Sequence, residues 1–276
     1  MRKTLPMCKL PSDLEPATPA PMPYGFFVQL ARRSKLLLCL DYDGTLSDLT
    51  PDPSRAFPVD GIRESLTRLV DASDHLTIAI VTGRTIAQVR HLLGVSNGLI
   101  FSGLHGLEMS QRGRIRVAPE AAASASELDL VRRWITRNIP TSQGFRVEDK
   151  RFAVGVHYRS ADPIIAGAIA DSFVQFVAAS APALKVMRLK MLVEAIPRVA
   201  SKANAVAALR RTIKHPCVTV FVGDDATDEE ALAALDDGDI GILVGPVRPS
   251  RARYCLPSPA AVAAELRTLA EYFEHA

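Results

Sequence analysis

Two carboxylates, Asp41 and Asp43, stand at i and i+2 directly after the unbroken apolar run Leu36–Leu40 in LLLCLDYDGTLSDL. A run of that kind reads as a buried strand. In open α/β sheets, ligands bind beyond the carboxyl ends of the strands. An aspartate placed there is able to attack phosphorus and become an aspartyl-phosphate. Its charge repels a phosphate dianion unless a cation stands between them. Mg²⁺, which takes one or two carboxylates together with phosphate oxygens, suits that role. The second acid is able to protonate a leaving alkoxide and then to take a proton from attacking water. Gly44 lets the backbone turn away. D-x-D-G on its own also reads as an ordinary turn after a strand.

Three further groups fall at comparable places. VTGR follows the apolar run Leu76–Val81 and precedes the helical stretch Ile86–Leu93. The Thr82 hydroxyl and the Gly83 N–H there can hold phosphate oxygens. Lys202 opens a helical pattern with Ser201 as its N-cap, and a lysine so placed neutralises charge on a nucleophile and a phosphate. GDDATDEEA follows the strand VTVFV, so Asp224 and Asp225 leave the strand end as metal ligands would. Asp228, Glu229 and Glu230 are accounted for by the preference for acids in a first helical turn. Taken singly, VTGR reads equally as a strand-to-helix turn and Lys202 as a surface lysine. Their shared location at strand exits and helix starts is what gives them a chemical reading.

The elements that must position these groups are short. Apolar runs also occur at Gly98–Phe101, Val218–Val222 and Gly241–Val244, with a helical stretch at Asp228–Leu235. Buried strands alternating with helices predict an α/β fold, a doubly wound parallel sheet covered on both faces. The texture changes between Glu108 and Ile196. A hairpin is expected around Gly113 (Glu108–Val117), helices at Ala121–Asn138 and Asp162–Ser180, and strands at Phe145–Glu148, Phe152–Tyr158, Leu184–Met187 and Met191–Ala195. The predicted organisation is a core of residues 24–109 and 197–276 with an inserted α+β module over 110–196. Residues 1–23, rich in proline and alanine, are expected to form a disordered leader.

Composition excludes several function classes. With 33 basic and 30 acidic residues, the net charge of +3 lacks the clustered basic surface that nucleic acid requires. Arg248, Arg251 and Arg253 read as a solvated loop. Four cysteines, Cys8, Cys39, Cys217 and Cys255, form no C-x-x-C pair, so neither a disulfide framework nor a zinc site is expected. No apolar run is read as approaching the roughly 18 residues of a membrane span. The basic start lacks the apolar stretch of a secretory signal, so a cytoplasmic location is expected, with no membrane partner. Oligomeric state is not legible.

In type and order, the four motifs resemble those of the haloacid dehalogenase superfamily. More narrowly, DYDGTL with its following P-x-P, VTGR, GLHG, VEDKRFAVGVHYR, VEAIP with a lysine five residues on, and GDDATDE resemble the trehalose-6-phosphate phosphatases, over about residues 35–245. The resemblance implies a Rossmann-like haloacid dehalogenase core with the inserted module as a cap. It makes Asp41 the nucleophile and Asp43 the acid/base. It places Mg²⁺ on the Asp41 carboxylate, the Asp43 carbonyl and the Asp224 carboxylate, with Asp225 auxiliary. Thr82, Gly83 and Lys202 would hold the phosphate. Glu148, Lys150 and Glu194 would hold sugar hydroxyls, with His105 lining the site. The implied reaction converts trehalose 6-phosphate to trehalose and phosphate. Two positions depart from the family pattern: Ala203 stands where glycine is usual, and Ile196 where a basic residue is usual. Ile196 bears on which sugar is held. Sucrose 6-phosphate, glucosylglycerol phosphate and mannosyl-3-phosphoglycerate are therefore rival substrates. A catalytically silent sugar-phosphate sensor is the alternative from a different class.

Overall fold

The structure is a computed structural model that describes residues 16–72 and 74–276. In chain order the elements are β1 (Ala20–Pro21), α1 (Phe26–Ala31), β2 (Leu36–Leu40), α2 (Ile62–Leu69), β3 (Leu76–Val81), α3 (Ile86–Leu93), β4 (Ile100–Gly103), β5 (Glu108–Gln111) and β6 (Arg114–Val117). There follow α4 (Pro119–Ala123), α5 (Ala125–Asn138), β7 (Arg146–Asp149), β8 (Val154–His157), α6 (Pro163–Ser180), β9 (Leu184–Leu189) and β10 (Leu192–Pro197). The chain closes with α7 (Lys202–Thr212), β11 (Val218–Gly223), α8 (Ala226–Ala233), β12 (Ile240–Val244), β13 (Tyr254–Leu256) and α9 (Pro259–His275). Two compact units result. One holds the chain up to Ile115 and again Ser201–Ala276, the other Arg116–Ala200.

The first unit is built on a sheet of order β1-β13-β12-β11-β2-β3-β4-β5-β6. Its pairings are parallel from β1 across to β4 and antiparallel between β4 and β5. Side chains alternate across a strand, and β2 shows what that does here. Leu36, Leu38 and Leu40 pack with Phe27, Leu66, Val89 and Leu266 from α1, α2, α3 and α9. Leu37 and Cys39 pack on the other face with Val206 and Leu232 from α7 and α8. Both faces are covered, which is why the strand had to be apolar at every position. The order of strands reverses between β2 and β11, and ligands of doubly wound sheets collect at such a switch point.

The second unit is a four-stranded antiparallel sheet, β7-β8-β10-β9. Val154, Val156, Val193 and Ala195 pack against Leu128, Val131 and Ile135 of α5 and Phe173 and Val177 of α6. Trp134 stacks on Phe176 with ring centroids 5.4 Å apart. By alternation, Glu148, Gly155 and Glu194 share the opposite face. Glu148 and Glu194 both pair with Gly155, so no side chain separates the two acids.

Several expectations need correction. Of the leader expected over 1–23, residues 1–15 lie outside the described residues, and the rest is not disordered throughout, because Ala20–Pro21 pairs with Tyr254 and Cys255 and Ala17 bridges Ser250. The units part at Ile115/Arg116 and Ala200/Ser201. The hairpin's first strand β5 extends the core sheet, and Ser201 already caps a core helix. The helix expected at Ala121–Asn138 is two helices. They meet at Ser124, whose hydroxyl donates to the Glu120 carbonyl at 2.8 Å, an i−4 bond that bends helices. The helix α6 is long and apolar enough to cross a membrane by length and composition. Of the described cysteines, Cys39 and Cys255 are buried and all are free.

Candidate active site

Asp41 leaves β2 with its N–H still bonded to the Val222 carbonyl of β11, at 2.9 Å. This pairing carries the carboxylate to the switch point, where it is 3% exposed. Lys202 arrives from α7, whose N-cap Ser201 accepts from Ala203 N and donates to Glu230 Oε2 at 2.7 Å. The Ser201 N–H is itself bonded to the His105 carbonyl. The Lys202 ammonium donates to Asp41 Oδ1 and to Asp228 Oδ1, each at 2.7 Å. Asp228 Oδ2 in turn accepts from the N–H groups of Asp224 and Asp225, each at 3.0 Å.

Asp228 is therefore a site residue that the helix-dipole explanation had set aside. Its side chain is almost wholly buried, and burial of an unneeded charge is too costly to be incidental. The detectable signal was its spacing, four residues after Asp224 on the first turn of α8. Asp225, expected as an auxiliary metal ligand, uses its Oδ1 as a helix cap. It caps α8 by accepting from Thr227 N and Asp228 N and lies 4.0 Å from the Lys202 ammonium.

The gathered acids are Asp41, Asp224 and Asp228, with one carboxylate oxygen from each within 4.8 Å of the others. Asp224 Oδ1 is buried with no hydrogen-bond partner. Three carboxylates face one ammonium, an excess of negative charge that raises the cost of ionising all three. Burial, aided by Asp225 and Asp228, pushes the Asp224 carboxyl up to about 7. Burial also lifts Asp228 to about 6 against the pull of Lys202. Asp41 is held well above the usual carboxylate range, again by burial foremost. Burial alone would lower the Lys202 ammonium, but Asp228, Asp41 and Asp225 together hold it well above its ordinary value. Burial also opposes ionisation of Asp225, yet Lys202 and the bonds from Thr227 and Asp228 bring it down to about 2. A hard divalent cation with oxygen ligands fits this set, since it would occupy the orphaned Asp224 oxygen and offset the surplus charge. Gly44, at φ +80°, leaves room for the Asp224 carboxylate, with which a Cβ there would collide.

The Asp43 carboxylate is held by Arg84. Arg84 Nε and Nη2 donate to its two carboxylate oxygens at 2.7 and 2.6 Å. The same guanidinium donates to the Pro53 carbonyl at 2.9 Å and lies over the Tyr42 ring. Thr82 is buried, and its Oγ accepts from the Arg84 N–H at 3.1 Å, which leaves the hydroxyl hydrogen to donate. Gly83 lies against the His105 ring, and a Cβ there would come within 2.5 Å of Nε2. Leu104 and His105 both have positive φ, 49° and 53°, a strained pair that packs the ring into this turn.

Glu148, Lys150 and Glu194 form their own cluster in the second unit. Lys150 Nζ donates to Glu194 Oε1 at 2.8 Å and lies 3.7 Å from Glu148 Oε2. Glu194 is fully buried, and its Oε2 has no partner. His157, two residues along β8 from Gly155, adds a contact of 2.9 Å between Nε2 and Glu148 Oε2. The sequence reading had not singled out this histidine, though its place on the same strand face was the available signal.

The family model described as trehalose-phosphatase matches residues 39–260. The chain belongs to the trehalose-phosphatase family. Among curated relatives, trehalose-phosphate phosphatase B of Arabidopsis thaliana is 30% identical over 265 residues, covering 89% of this chain and 69% of its own length. The trehalose-phosphate phosphatase of Mycobacterium avium (strain 104) is 33% identical over 247 residues, covering 85% of this chain and 62% of its own. The C-terminal domain of the C. albicans trehalose-6-phosphate phosphatase superposes with a TM-score of 0.77 at 24% identity, over 93% of this chain and 99% of that one. At that identity the likeness speaks for the fold. Haloacid dehalogenase-like hydrolases share it, as the motif order implied. The family match begins at the strand that delivers Asp41 and extends past the acidic loop.

Proposed function

We propose that the chain hydrolyses trehalose 6-phosphate to trehalose and phosphate, with Mg²⁺ as its cofactor. Family membership makes it a phosphoric monoester hydrolase. The observation that carries the mechanism is the double contact of Lys202, which ties the Asp41 carboxylate to Asp228 in a buried acidic site. Asp41 and Asp224 would hold the metal, with Asp228 behind or beside them. When bound, Mg²⁺ neutralises phosphate and carboxylate charge and so permits their approach.

The remaining work falls to the chain's own groups. Lys202 and the Thr82 hydroxyl hold phosphate oxygens. A carboxylate oxygen of Asp41 forms a bond to phosphorus as the bond from phosphorus to sugar O6 breaks. Asp43, taking up a proton as it leaves Arg84, passes that proton to O6. Water then attacks the aspartyl-phosphate, Asp43 takes its proton, and the Asp41 carboxylate is regenerated. Proton transfer of this kind contributes about 10²–10⁴-fold. The larger share of a phosphatase's acceleration must come from positioning and charge neutralisation. The second unit serves as the cap, and its Glu148, Lys150 and Glu194 offer the charged donors and acceptors that sugar hydroxyls use.

A panel of sugar phosphates tests the substrate. Trehalose 6-phosphate should be turned over faster than sucrose 6-phosphate, glucosylglycerol phosphate, mannosyl-3-phosphoglycerate or glucose 6-phosphate. Preference for one of the others would replace the sugar and leave the reaction standing. No turnover of any would favour a sensor.

A further inference from the structure

The loop that carries Asp224 and Asp225 is held on two sides. Asp228 takes its N–H groups, as described above. Its carbonyls are taken by Arg248, from the segment between β12 and β13. Arg248 Nη2 donates to the Asp224 carbonyl at 3.1 Å and to the Asp225 carbonyl at 3.3 Å. Its Nη1 donates to Glu229 Oε1 at 2.8 Å. Glu229 is not a free surface acid. It also accepts from Ser250 Oγ at 2.7 Å and from Arg251 N at 2.9 Å. The guanidinium is thus fixed by an anchored carboxylate, with its second nitrogen aimed at the acidic loop. The solvated loop expected for Arg248 is not what the structure shows, because Glu229 and the carbonyls of Asp224, Asp225 and Pro249 converge on that side chain.

We propose that Arg248, fixed by Glu229, is a positioning residue that sets the Asp224 carboxylate for the divalent cation. This rests on the metal reading given above. The geometry has a consequence opposite in sign to simple electrostatics. A positive charge near a cation site opposes cation binding, so replacing Arg248 by a neutral residue should tighten the metal if charge were all that mattered. If Arg248 acts by holding the two carbonyls, its loss lets the loop relax and weakens the metal. Groups that orient metal ligands typically affect metal affinity by about 10–100-fold. A lysine keeps the charge but presents no fork that spans the loop carbonyls and Glu229 together.

The test is isothermal titration of Mg²⁺ into the full chain without substrate, for the parent, Arg248→Met and Arg248→Lys, with a metal-free melting curve for each. Arg248→Met should weaken Mg²⁺ by about 10–100-fold, and Arg248→Lys should also bind more weakly than the parent. The Mg²⁺ concentration giving half-maximal hydrolysis of p-nitrophenyl phosphate should rise in step. Unchanged or tighter binding by Arg248→Met overturns the proposal. Full restoration by Arg248→Lys overturns it as well, since charge would then suffice. Where Arg248→Met does not fold, Arg248→Lys alone decides on the same criterion. Mg²⁺ binding by the parent with no change in either variant removes this role and leaves the metal site intact. Failure of the parent to bind Mg²⁺ removes both.

Discussion

Lys202 and Asp228, 26 residues apart in sequence, meet through Nζ and Oδ1 at 2.7 Å, both side chains almost wholly buried. Loss of the Asp228 carboxylate leaves Lys202 to Asp41 alone and the Asp224 and Asp225 N–H groups without their acceptor, and a buried donor left unpaired typically costs about 1–3 kcal/mol. Asp228→Ala should therefore lower stability by about that amount, measured by denaturant melts. It should also lower kcat/KM on p-nitrophenyl phosphate by at least about 100-fold, since Lys202 and the acidic loop both lose their anchor. Asp228→Asn keeps the shape and one acceptor and should be less harmful to folding. Parent-like stability and rate for Asp228→Ala would return this residue to a helix-dipole role.

The two motif aspartates should fail differently. Asp41→Asn removes the attacking carboxylate and should abolish turnover. Asp43→Asn leaves attack possible but deprives both steps of their proton carrier. With p-nitrophenyl phosphate, whose leaving group scarcely needs a proton, the Asp43→Asn enzyme should accumulate phosphate on Asp41. Intact-mass and peptide mass spectrometry after rapid quench reads this. Phosphate found on Asp43 in the parent would reverse the roles.

Acid and metal should compete for the cluster. Asp224 is raised from 3.8 to about 7 and Asp228 to about 6, so the folded chain holds protons there more tightly than the unfolded chain. Their contribution to stability is full below about pH 4 and is lost as pH rises through about 6–7. Asp225, lowered to about 2, contributes above about pH 4 and loses its effect only in stronger acid. Metal binding requires the deprotonated carboxylates. The rise in Tm on adding Mg²⁺ should therefore grow from about pH 5 to about pH 8. Scanning calorimetry with and without Mg²⁺ checks this, and a gain independent of pH would contradict it.

In the second unit, two hydrogen-bonded pairs, Lys150 with Glu194 and His157 with Glu148, are joined by the Lys150–Glu148 ion pair, so their effects should not add. Losing a charge-assisted hydrogen bond to substrate costs about 1.5–3 kcal/mol, roughly 10- to 150-fold. Glu148→Gln, Lys150→Met and Glu194→Gln should each lower kcat/KM on trehalose 6-phosphate by about that factor. The rate on p-nitrophenyl phosphate should stay within a few-fold of the parent. Equal loss on both substrates, with a lowered Tm, would make the network a folding element.

The strands that deliver the site were legible because each is buried on both faces. Leu36–Leu40 is apolar throughout, Leu76–Val81 and Val218–Gly223 are so but for Thr77 and Thr219, and their exits mark Asp41, Thr82 and Asp224. Less was visible where one residue type serves two purposes. Asp228 satisfies a helix start as well as Lys202, and only the fold shows the lysine arriving from α7. Arg248 read as solvated because its acceptors are three backbone carbonyls and Glu229, none of which leaves a pattern in sequence. The strand Ala20–Pro21 was masked by its prolines and alanines, its pairing being supplied by Tyr254 and Cys255 far along the chain. Helix α9 went unread, although Ser258 caps it and Leu266 and Leu269 belong to the core.

The central claim is a Mg²⁺-dependent release of phosphate from trehalose 6-phosphate by the buried Asp41 site. The most direct measurement is the initial rate of phosphate release from trehalose 6-phosphate by the parent chain, with Mg²⁺ and with excess EDTA, alongside Asp41→Asn. The account predicts rapid release with Mg²⁺, loss of release in EDTA with recovery on adding Mg²⁺ back, and none from Asp41→Asn. Robust release in EDTA, or from Asp41→Asn, would contradict it.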